Sequence, residues 1–174
     1  LGSFRFADAT AEVGLDVDNT RWSLAAAWED FDQDGDADLY VANDFGRNVF
    51  YRNDEVAGRR RFKSMAAELG IEDMAAGMSV AWGDSDRDGR MDLYVGNMFS
   101  TAGQRVALQP AFAPGAPSID VGPGRLSRGN ALLIGSEDGT FRDATLESGV
   151  ARGGWAWSSA LVDIDNDGAE DIVI

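Results

Sequence analysis

The chain is built around one nine-residue phrase, which first reads Asp30-Phe31-Asp32-Gln33-Asp34-Gly35-Asp36-Ala37-Asp38. It returns as Asp84-Ser85-Asp86-Arg87-Asp88-Gly89-Arg90-Met91-Asp92 and as Asp163-Ile164-Asp165-Asn166-Asp167-Gly168-Ala169-Glu170-Asp171. Every copy has Asp at its first, third, fifth and ninth positions and Gly at its sixth. One spacing written three times predicts three loops of the same structure, which we call loop 1 (30–38), loop 2 (84–92) and loop 3 (163–171).

Four carboxylates in one short loop need a cation among them. Two carboxylates about 4 Å apart repel each other by roughly 1 kcal/mol in water and by several times more near a protein surface. The alternating first, third and fifth positions turn their side chains towards one centre, and the Gly allows the sharp bend that a positive φ provides. Hard oxygen donors in this number favour Ca²⁺ over Mg²⁺, which demands a stricter octahedron. The alternative is three solvated acidic turns, since Asp and Gly are ordinary turn residues.

The seventh position of the phrase varies freely, as expected if its backbone carbonyl is the ligand and its side chain is not. We therefore predict up to three bound Ca²⁺ ions. The predicted side-chain ligands are Asp30, Asp32, Asp34 and Asp38 in loop 1, Asp84, Asp86, Asp88 and Asp92 in loop 2, and Asp163, Asp165, Asp167 and Asp171 in loop 3. The predicted backbone carbonyl ligands are Asp36, Arg90 and Ala169.

The loops are not EF-hands. An EF-hand loop ends in Glu at its twelfth position, where this chain has Val41, Val95 and Ile174. An EF-hand also lies between helices, whereas loop 1 is followed by Leu39-Tyr40-Val41-Ala42, a short β-branched and aromatic run that predicts a buried strand. Each motif therefore reads as strand, calcium loop, strand.

A longer repeat surrounds each loop and predicts an all-β fold. Two strands flank the loop and a hairpin follows, so one repeat holds four antiparallel strands, and sheets repeating at this period fit β-propeller blades. We expect one partial propeller domain over residues 1–174, with an initial strand and about two and a half blades. The repeats run from about 4–60, 61–139 and 140–174. The hairpin turns are expected at 54–58 and 136–139.

A long insertion separates the second and third copies of the phrase, at about residues 100–128. It contains all of the prolines of the chain and is rich in Gly and Ala. We predict a surface excursion without regular structure, and loops of this length often carry function.

Composition narrows the classes of function. The net charge of −15 argues against nucleic acid as a partner, because phosphates require a basic surface. The absence of His and Cys excludes zinc sites built from those residues, thiol catalysis and an imidazole base. No run of apolar residues is long enough to span a membrane. Weak calcium loops typically work at extracellular calcium concentrations, so we expect an extracytoplasmic location: periplasmic, secreted or at the cell surface.

The phrase, preceded by Ala27-Trp28 and followed by Leu39-Tyr40-Val41, resembles the FG-GAP/VCBS repeats that build the β-propellers of integrin α-subunits and many bacterial secreted proteins. The stretches 128–132 and 139–145 resemble more specifically the ASPIC/UnbV, cartilage-acidic-protein-like branch. The resemblance implies calcium at the twelve Asp positions named above and a propeller of about seven blades. We therefore expect this chain to be a fragment, or to be completed by a partner that covers its open faces.

The expected function is a calcium-stabilised module for protein–protein interaction or scaffolding, in which calcium is structural and not catalytic. An alternative is a carbohydrate-binding propeller, in which Trp22 and Trp155 stack on sugar rings. Tryptophans at the repeated strand positions, such as Trp28 and Trp82, are more simply read as packing between sheets. We do not expect an enzyme, although the chain could be a non-catalytic part of a secreted one.

Overall fold

Two four-stranded antiparallel sheets and one strand pair form the fold. The computed structural model describes residues 5–44, 46–107, 109 and 127–174. Sheet 1 contains, in order, β1 (Ser23–Glu29), β2 (Asp38–Asn43), β3 (Val49–Val56) and β4 (Arg59–Ser64). Sheet 2 contains β5 (Gly77–Gly83), β6 (Asp92–Asn97), β7 (Ala131–Gly135) and β8 (Phe141–Asp143), and the strand pair contains β9 (Ala160–Val162) and β10 (Asp171–Val173). The predicted all-β class and the four-stranded antiparallel unit are confirmed.

The two sheets are copies of each other in register. Leu39 lies opposite Tyr51 in sheet 1, and Leu93 lies opposite Leu133 in sheet 2. The first strand of each sheet also carries an irregularity near its start, after Ser23 in β1 and after Gly77 in β5. The sequence repeat therefore specifies the strand pairing down to this local defect.

Sheet 2 lies between sheet 1 and the strand pair, and apolar clusters fill both interfaces. Between the two sheets, Tyr40 and Phe50 of sheet 1 meet Leu93 of sheet 2, all fully buried. On the far side of sheet 2, Tyr94 and Leu132 pack with Leu161 of β9. Strand β6 is consequently buried at every residue, as a strand covered on both faces must be.

Short helices supplement the strands where the sequence analysis predicts none. They are α1 (Thr10–Val13), α2 (Ala66–Leu69) and α3 (Thr101–Ala107). Helices α1 and α2 both end at a glycine with a positive φ, Gly14 and Gly70, and α2 packs Ala66 and Leu69 into the core between the sheets. A helical turn therefore begins four residues after Phe6 and four residues after Phe62.

Three details of the predicted organisation are wrong. The expected initial strand does not form within residues 5–9; the equivalent stretches, β4 and β8, each pair with the strand before them, and residues 5–9 have no such partner among the described residues. The first hairpin turn is shorter than 54–58, because β3 continues to Val56 and only Ala57 and Gly58, both with positive φ, form the turn. The hairpin turn at 136–139 is confirmed.

The third correction concerns the insertion, which does contain regular structure. Helix α3 occupies its first part, and the backbone amide of Gln104 donates to the carbonyl of Ser100. The Gly and Pro content of the whole insertion wrongly predicts that all of it lacks regular structure, because every proline lies after the end of α3. Phe99 and Arg128 pair across the base of the insertion as an isolated antiparallel bridge. Residues 108 and 110–126 of the predicted excursion lie outside the described residues.

Candidate metal centres

Each acidic loop joins the first two strands of a sheet. Loop 1 connects β1 to β2, loop 2 connects β5 to β6, and loop 3 connects β9 to β10. Adjacent loops also touch. The Gln33 side chain of loop 1 donates from Nε2 to the Gly89 carbonyl of loop 2 at 2.9 Å, and the Asp84 amide of loop 2 donates to Glu170 Oε2 of loop 3 at 2.8 Å. The three predicted centres therefore form one continuous row.

The first Asp and the sixth-position Gly shape every loop in the same way. The Asp accepts a hydrogen bond from the Gly amide through Oδ2, and the Gly has a positive φ, as predicted. The pairs are Asp30 and Gly35 (3.1 Å, φ 95°), Asp84 and Gly89 (3.0 Å, φ 85°), and Asp163 and Gly168 (2.9 Å, φ 85°). A side chain at the sixth position would strain this turn.

The fourth position also adopts a left-handed conformation, which the sequence analysis does not predict. Its residues are Gln33 (φ 58°), Arg87 (φ 63°) and Asn166 (φ 60°). Asn tolerates this region, but Gln and Arg give no such signal. Carboxylates on both sides accept amide hydrogen bonds from the loop backbone, and these bonds hold the strained residue in place.

Three carboxylates gather in each loop, with one oxygen of each within 4.8 Å of the others. The groups are Asp30, Asp32 and Asp34 in loop 1, Asp84, Asp86 and Asp92 in loop 2, and Asp163, Asp165 and Asp171 in loop 3. The predicted ligands Asp38, Asp88 and Asp167 lie outside these tightest groups. The three clusters could hold a metal ion each, and their donors are all carboxylate oxygens, the type that hard cations prefer.

The ninth-position Asp has a second role that spacing alone does not reveal. Asp38 and Asp92 are buried, and each accepts a hydrogen bond from the backbone of the third strand of its sheet: Asn53 N at 2.7 Å and Gly135 N at 2.9 Å. Asp171, in the two-stranded pair, is exposed and accepts from Ile164 N at 3.1 Å. This residue therefore ties the metal loop to the sheet.

Loop 1 contains carboxylate oxygens that lack a partner. Asp30 Oδ1 and Asp38 Oδ2 are buried, and neither has a hydrogen-bond donor among the described residues. A buried anionic oxygen without a donor is costly, and a bound cation is one way to satisfy it. The chemistry of loop 1 thus fits a hard cation.

Burial raises the pKa of several loop carboxyls. The pKa of Asp38 rises to about 7, chiefly because burial disfavours its charged form, and the nearby carboxylate of Asp32 adds to the effect. Burial and then the neighbouring Asp34 raise the pKa of Asp32. The pKa of Asp86 rises through burial and the charge of Asp92. In all three groups burial is the main cause of the raised pKa, and neighbouring carboxylates add to it.

The seventh-position residues behave alike in the backbone and differently in the side chain. The amide of each donates to the fifth-position Asp: Asp36 to Asp34 at 3.1 Å, Arg90 to Asp88 at 2.9 Å and Ala169 to Asp167 at 2.7 Å. The Asp36 side chain forms an ion pair with Arg60, and the Arg90 side chain forms one with Asp88. Metal binding by the three carbonyls remains a prediction.

The tryptophans predicted to pack between sheets and those predicted to be exposed match the structure only in part. Trp82 packs between the sheets, with ring centroids 6.3 Å from Tyr40, 6.2 Å from Phe50 and 6.1 Å from Phe141. Trp28, predicted to pack in the same way, is 54% exposed. Trp22 and Trp155 are exposed as a sugar-binding role requires.

Within the described parts of the chain, the helices are too short and too polar to cross a membrane.

Comparison with known proteins identifies the repeat. The family model of the FG-GAP-like repeat matches residues 30–95 and 120–174, which include all three acidic loops. No curated protein matches the chain. The matched ranges cover most of the sequence and contain every described strand except β1 and the end of β6. The chain belongs to the FG-GAP-like repeat family.

Proposed function

We propose that this chain is a calcium-binding part of a β-propeller that serves protein–protein interaction or scaffolding outside the cytoplasm. Its repeat family suggests an interaction module of propeller-like design. Three acidic clusters at equivalent places in successive repeats support a structural metal in each. Weak calcium loops typically work at extracellular calcium concentrations, which supports a location outside the cytoplasm.

The observation that carries the proposal is the pair of unpartnered oxygens in loop 1. Asp38 is 2% exposed, yet only its Oδ1 is held by the third strand, while Oδ2 and the nearby Asp30 Oδ1 lack donors among the described residues. Four carboxylates of this loop would hold Ca²⁺, which would supply the missing positive charge. Because one of these side chains is bonded to β3, the cation would stabilise the sheet and not only the loop.

The chain's own residues determine what calcium can do here. Hydrogen bonds from the backbone amides of the sixth and seventh positions orient the first and fifth carboxylates. The ninth carboxylate connects the loop to the third strand. A bound ion at ten times its dissociation constant would add about 1.4 kcal/mol to the free energy of unfolding. This role is structural, and we propose no enzymatic activity for a chain without His or Cys.

Sheet 1 and the strand pair each have an open apolar face, which favours a longer propeller or a protein partner that covers them. Leu24 and Trp28 are exposed on one side of sheet 1, and Val162 and Val173 are exposed on the strand pair. The corresponding strand of sheet 2, β5, is largely buried because both of its faces are covered. Further blades or a protein partner would cover these apolar faces, as an exposed apolar face favours association.

A thermal melt tests the metal role. We expect the melting temperature to fall by several degrees when excess chelator replaces millimolar Ca²⁺, since up to three ions would be lost. The loop 1 variant Asp30→Ala/Asp32→Ala should lose part of this response and keep the rest. An unchanged melting temperature with and without Ca²⁺ would rule out a structural calcium role.

A carbohydrate-binding function is the second candidate, and the paired tryptophans favour it. Trp155 and Trp157 are both more than half exposed, and their ring centroids are 6.4 Å apart. Exposed aromatic rings can stack on the apolar face of a sugar. A glycan array probed with the chain and with Trp157→Ala separates this function from protein binding. No glycan signal in either form would exclude it.

A further inference from the structure

The three loops differ in charge although they share one pattern. Loop 1 has five acidic residues and no basic residue, and so does loop 3, where Glu170 adds the fifth acid. Loop 2 has four acidic residues together with Arg87 and Arg90. The middle loop therefore carries far less net negative charge than its neighbours.

Arg90 is directed at a predicted metal ligand. Its guanidinium forms an ion pair with the Asp88 carboxylate through Nη2, and its Nε donates to the Gly135 carbonyl at 3.3 Å, which fixes the group beside loop 2. Arg60 does something different at loop 1, since it pairs with Asp36, whose side chain is not a predicted ligand. Among the described residues, no ion pair reaches Asp34 or Asp167, the fifth-position acids of loops 1 and 3.

Loop 2 also satisfies its ninth carboxylate without a metal. Asp92 Oδ2 accepts from the Ser85 amide at 2.9 Å and from the Ser85 hydroxyl, and its Oδ1 accepts from Gly135 N at 2.9 Å. The second position of loops 1 and 3 is Phe31 or Ile164, neither of which has a hydroxyl. Asp171 Oδ2 in loop 3 accepts from the Ile164 amide at 3.1 Å. Asp38 Oδ2 in loop 1 has no donor among the described residues, whereas both oxygens of Asp92 are bonded.

We infer that Arg90 acts as a tethered cation that neutralises loop 2 from within, so that loop 2 binds calcium more weakly than loops 1 and 3. A calcium ion at loop 2 would have to share Asp88 with a guanidinium and would be repelled by it. Loops 1 and 3 have no such internal counter-ion. The inference rests on the proposed calcium role and specifies which of the three sites is filled last.

The consequence is a row of sites in which the middle one is stable without metal. Loop 2 belongs to the sheet that both neighbours contact, and Arg90 and Ser85 keep its carboxylates paired when calcium is scarce. Loops 1 and 3 flank it and would respond to calcium. The outer units of the structure, not its centre, are therefore the calcium-sensitive parts.

The test isolates loop 2 in the full chain. The substitutions Asp32→Asn and Asp165→Asn weaken loops 1 and 3, and calorimetric titration with Ca²⁺ at low salt then reports the affinity of loop 2. Adding Arg90→Ala should tighten that affinity about tenfold, because it frees Asp88 and removes a nearby positive charge. Circular dichroism verifies that each variant is folded.

Arg87→Gln provides the matched control in the same loop. It removes the same charge, and Gln is the residue that loop 1 carries at this position with a similar φ. Arg87 Nη1 lies beside Gly168 of loop 3 and forms no ion pair with Asp88 in the described structure. We expect this variant to change the affinity of loop 2 by less than about threefold.

The reciprocal exchange keeps the inference falsifiable if Arg90→Ala fails to fold. With loops 1 and 2 weakened by Asp32→Asn and Asp86→Asn, Ala169→Arg should lower the affinity of loop 3 about tenfold. An unchanged affinity of loop 3 in Ala169→Arg, or of loop 2 in a folded Arg90→Ala variant, would overturn the inference, while calcium binding by the parent chain would leave the proposed function standing. No calcium binding by the parent chain at any loop would overturn both.

Discussion

Sheet 1 and sheet 2 have nearly the same sequence pattern and strand register, but they differ in burial. In β1 the residues are exposed or half-buried throughout, whereas in β5 five of the seven are buried. The tryptophan two residues ahead of the loop shows the difference most clearly. Among the described residues, Trp28 contacts one aromatic ring, that of Phe62, and Trp82 contacts three.

The difference teaches that a repeat specifies its strands while its neighbours determine how much each strand contributes to stability. Sheet 2 has a neighbouring sheet or strand pair on both faces, whereas the one sheet that packs on sheet 1 among the described residues lies on the face that carries Tyr40 and Phe50. The other face of sheet 1 meets the N-terminal segment, where the Val17 carbonyl accepts a hydrogen bond from the Tyr51 hydroxyl. In repeat proteins, stability is approximately a sum of internal and nearest-neighbour interface contributions. Equivalent substitutions should therefore have unequal effects in the two sheets.

The largest expected effect comes from the tryptophans that lie two residues ahead of loops 1 and 2, Trp28 and Trp82. Trp82→Ala should lower the free energy of unfolding by about 4 kcal/mol, because it leaves a cavity among Tyr40, Phe50 and Phe141. Trp28→Ala should cost about 1 kcal/mol, since the side chain is already half exposed. Urea unfolding of both variants measures the two values. Equal losses would show that burial in this structure does not govern the contribution.

The ninth-position acids extend the comparison to the strand pair. In excess chelator, Asp92→Ala should cost about 3 kcal/mol, because it strips buried donors at Ser85 and Gly135 of a charged acceptor. The matched Asp171→Ala should cost less than about 1 kcal/mol, since Asp171 is exposed. Denaturant unfolding of both variants measures the two losses in free energy of unfolding. A larger loss for Asp171→Ala would contradict the role assigned to the third-strand contact.

Acid should stabilise the metal-free first loop. Burial raises the pKa of Asp38 to about 7, while the unfolded chain keeps the ordinary value near 3.9. Between these values the folded state holds a proton that the unfolded state has lost, so stability falls as the pH rises from about 4 to 7.

In chelator, the free energy of unfolding should therefore drop by about 2 kcal/mol between pH 5 and pH 8. Asp38→Asn should flatten this profile, and unfolding titrations at several pH values provide the measurement. Millimolar Ca²⁺ should restore stability at pH 8 in the parent chain. A stability that increases over this range in chelator would refute the assignment to Asp38.

The smallest expected effect concerns the residue just before each loop. A Cβ at Gly83 would overlap Glu170 Oε2 and lie 2.9 Å from the Leu161 Cβ, whereas the equivalent residue of sheet 1 is Glu29. Gly83→Ala should cost about 1 kcal/mol and Glu29→Ala about half of that or less. Thermal melts of the two variants compare them. If Gly83→Ala costs no more than Glu29→Ala, the strand pair is not held closely against sheet 2.

Periodicity and loop chemistry predict the strands and the clustering of carboxylates well. The Asp and Gly positions of the phrase act through bonds inside nine residues, so that spacing alone reveals them. The burial of Trp82 and the exposure of Trp28 depend instead on which sheets lie alongside, and the two positions look identical in sequence. Packing between repeats is not encoded within any one of them.

The double role of Asp38 and Asp92 is likewise hidden in the sequence. Each bonds to a strand that lies 15 or 43 residues further along the chain. The ion pair between Arg90 and Asp88 is local, at a separation of two residues, and could have been anticipated from loop 2. The free variation of the seventh position, which predicts a backbone carbonyl ligand, gives no separate sign of this ion pair.

The bridge between Phe99 and Arg128 has a consequence for how this fold can vary. It places the two ends of the insertion side by side at the ends of the two central strands of sheet 2, after β6 and before β7. The hydrogen-bonded pairing of β6 with β7 begins next to this bridge. It has the same register as the pairing of β2 with β3 in sheet 1. The position is thus a natural graft point, where segments of different length can be exchanged during evolution or by design without altering the strands beneath.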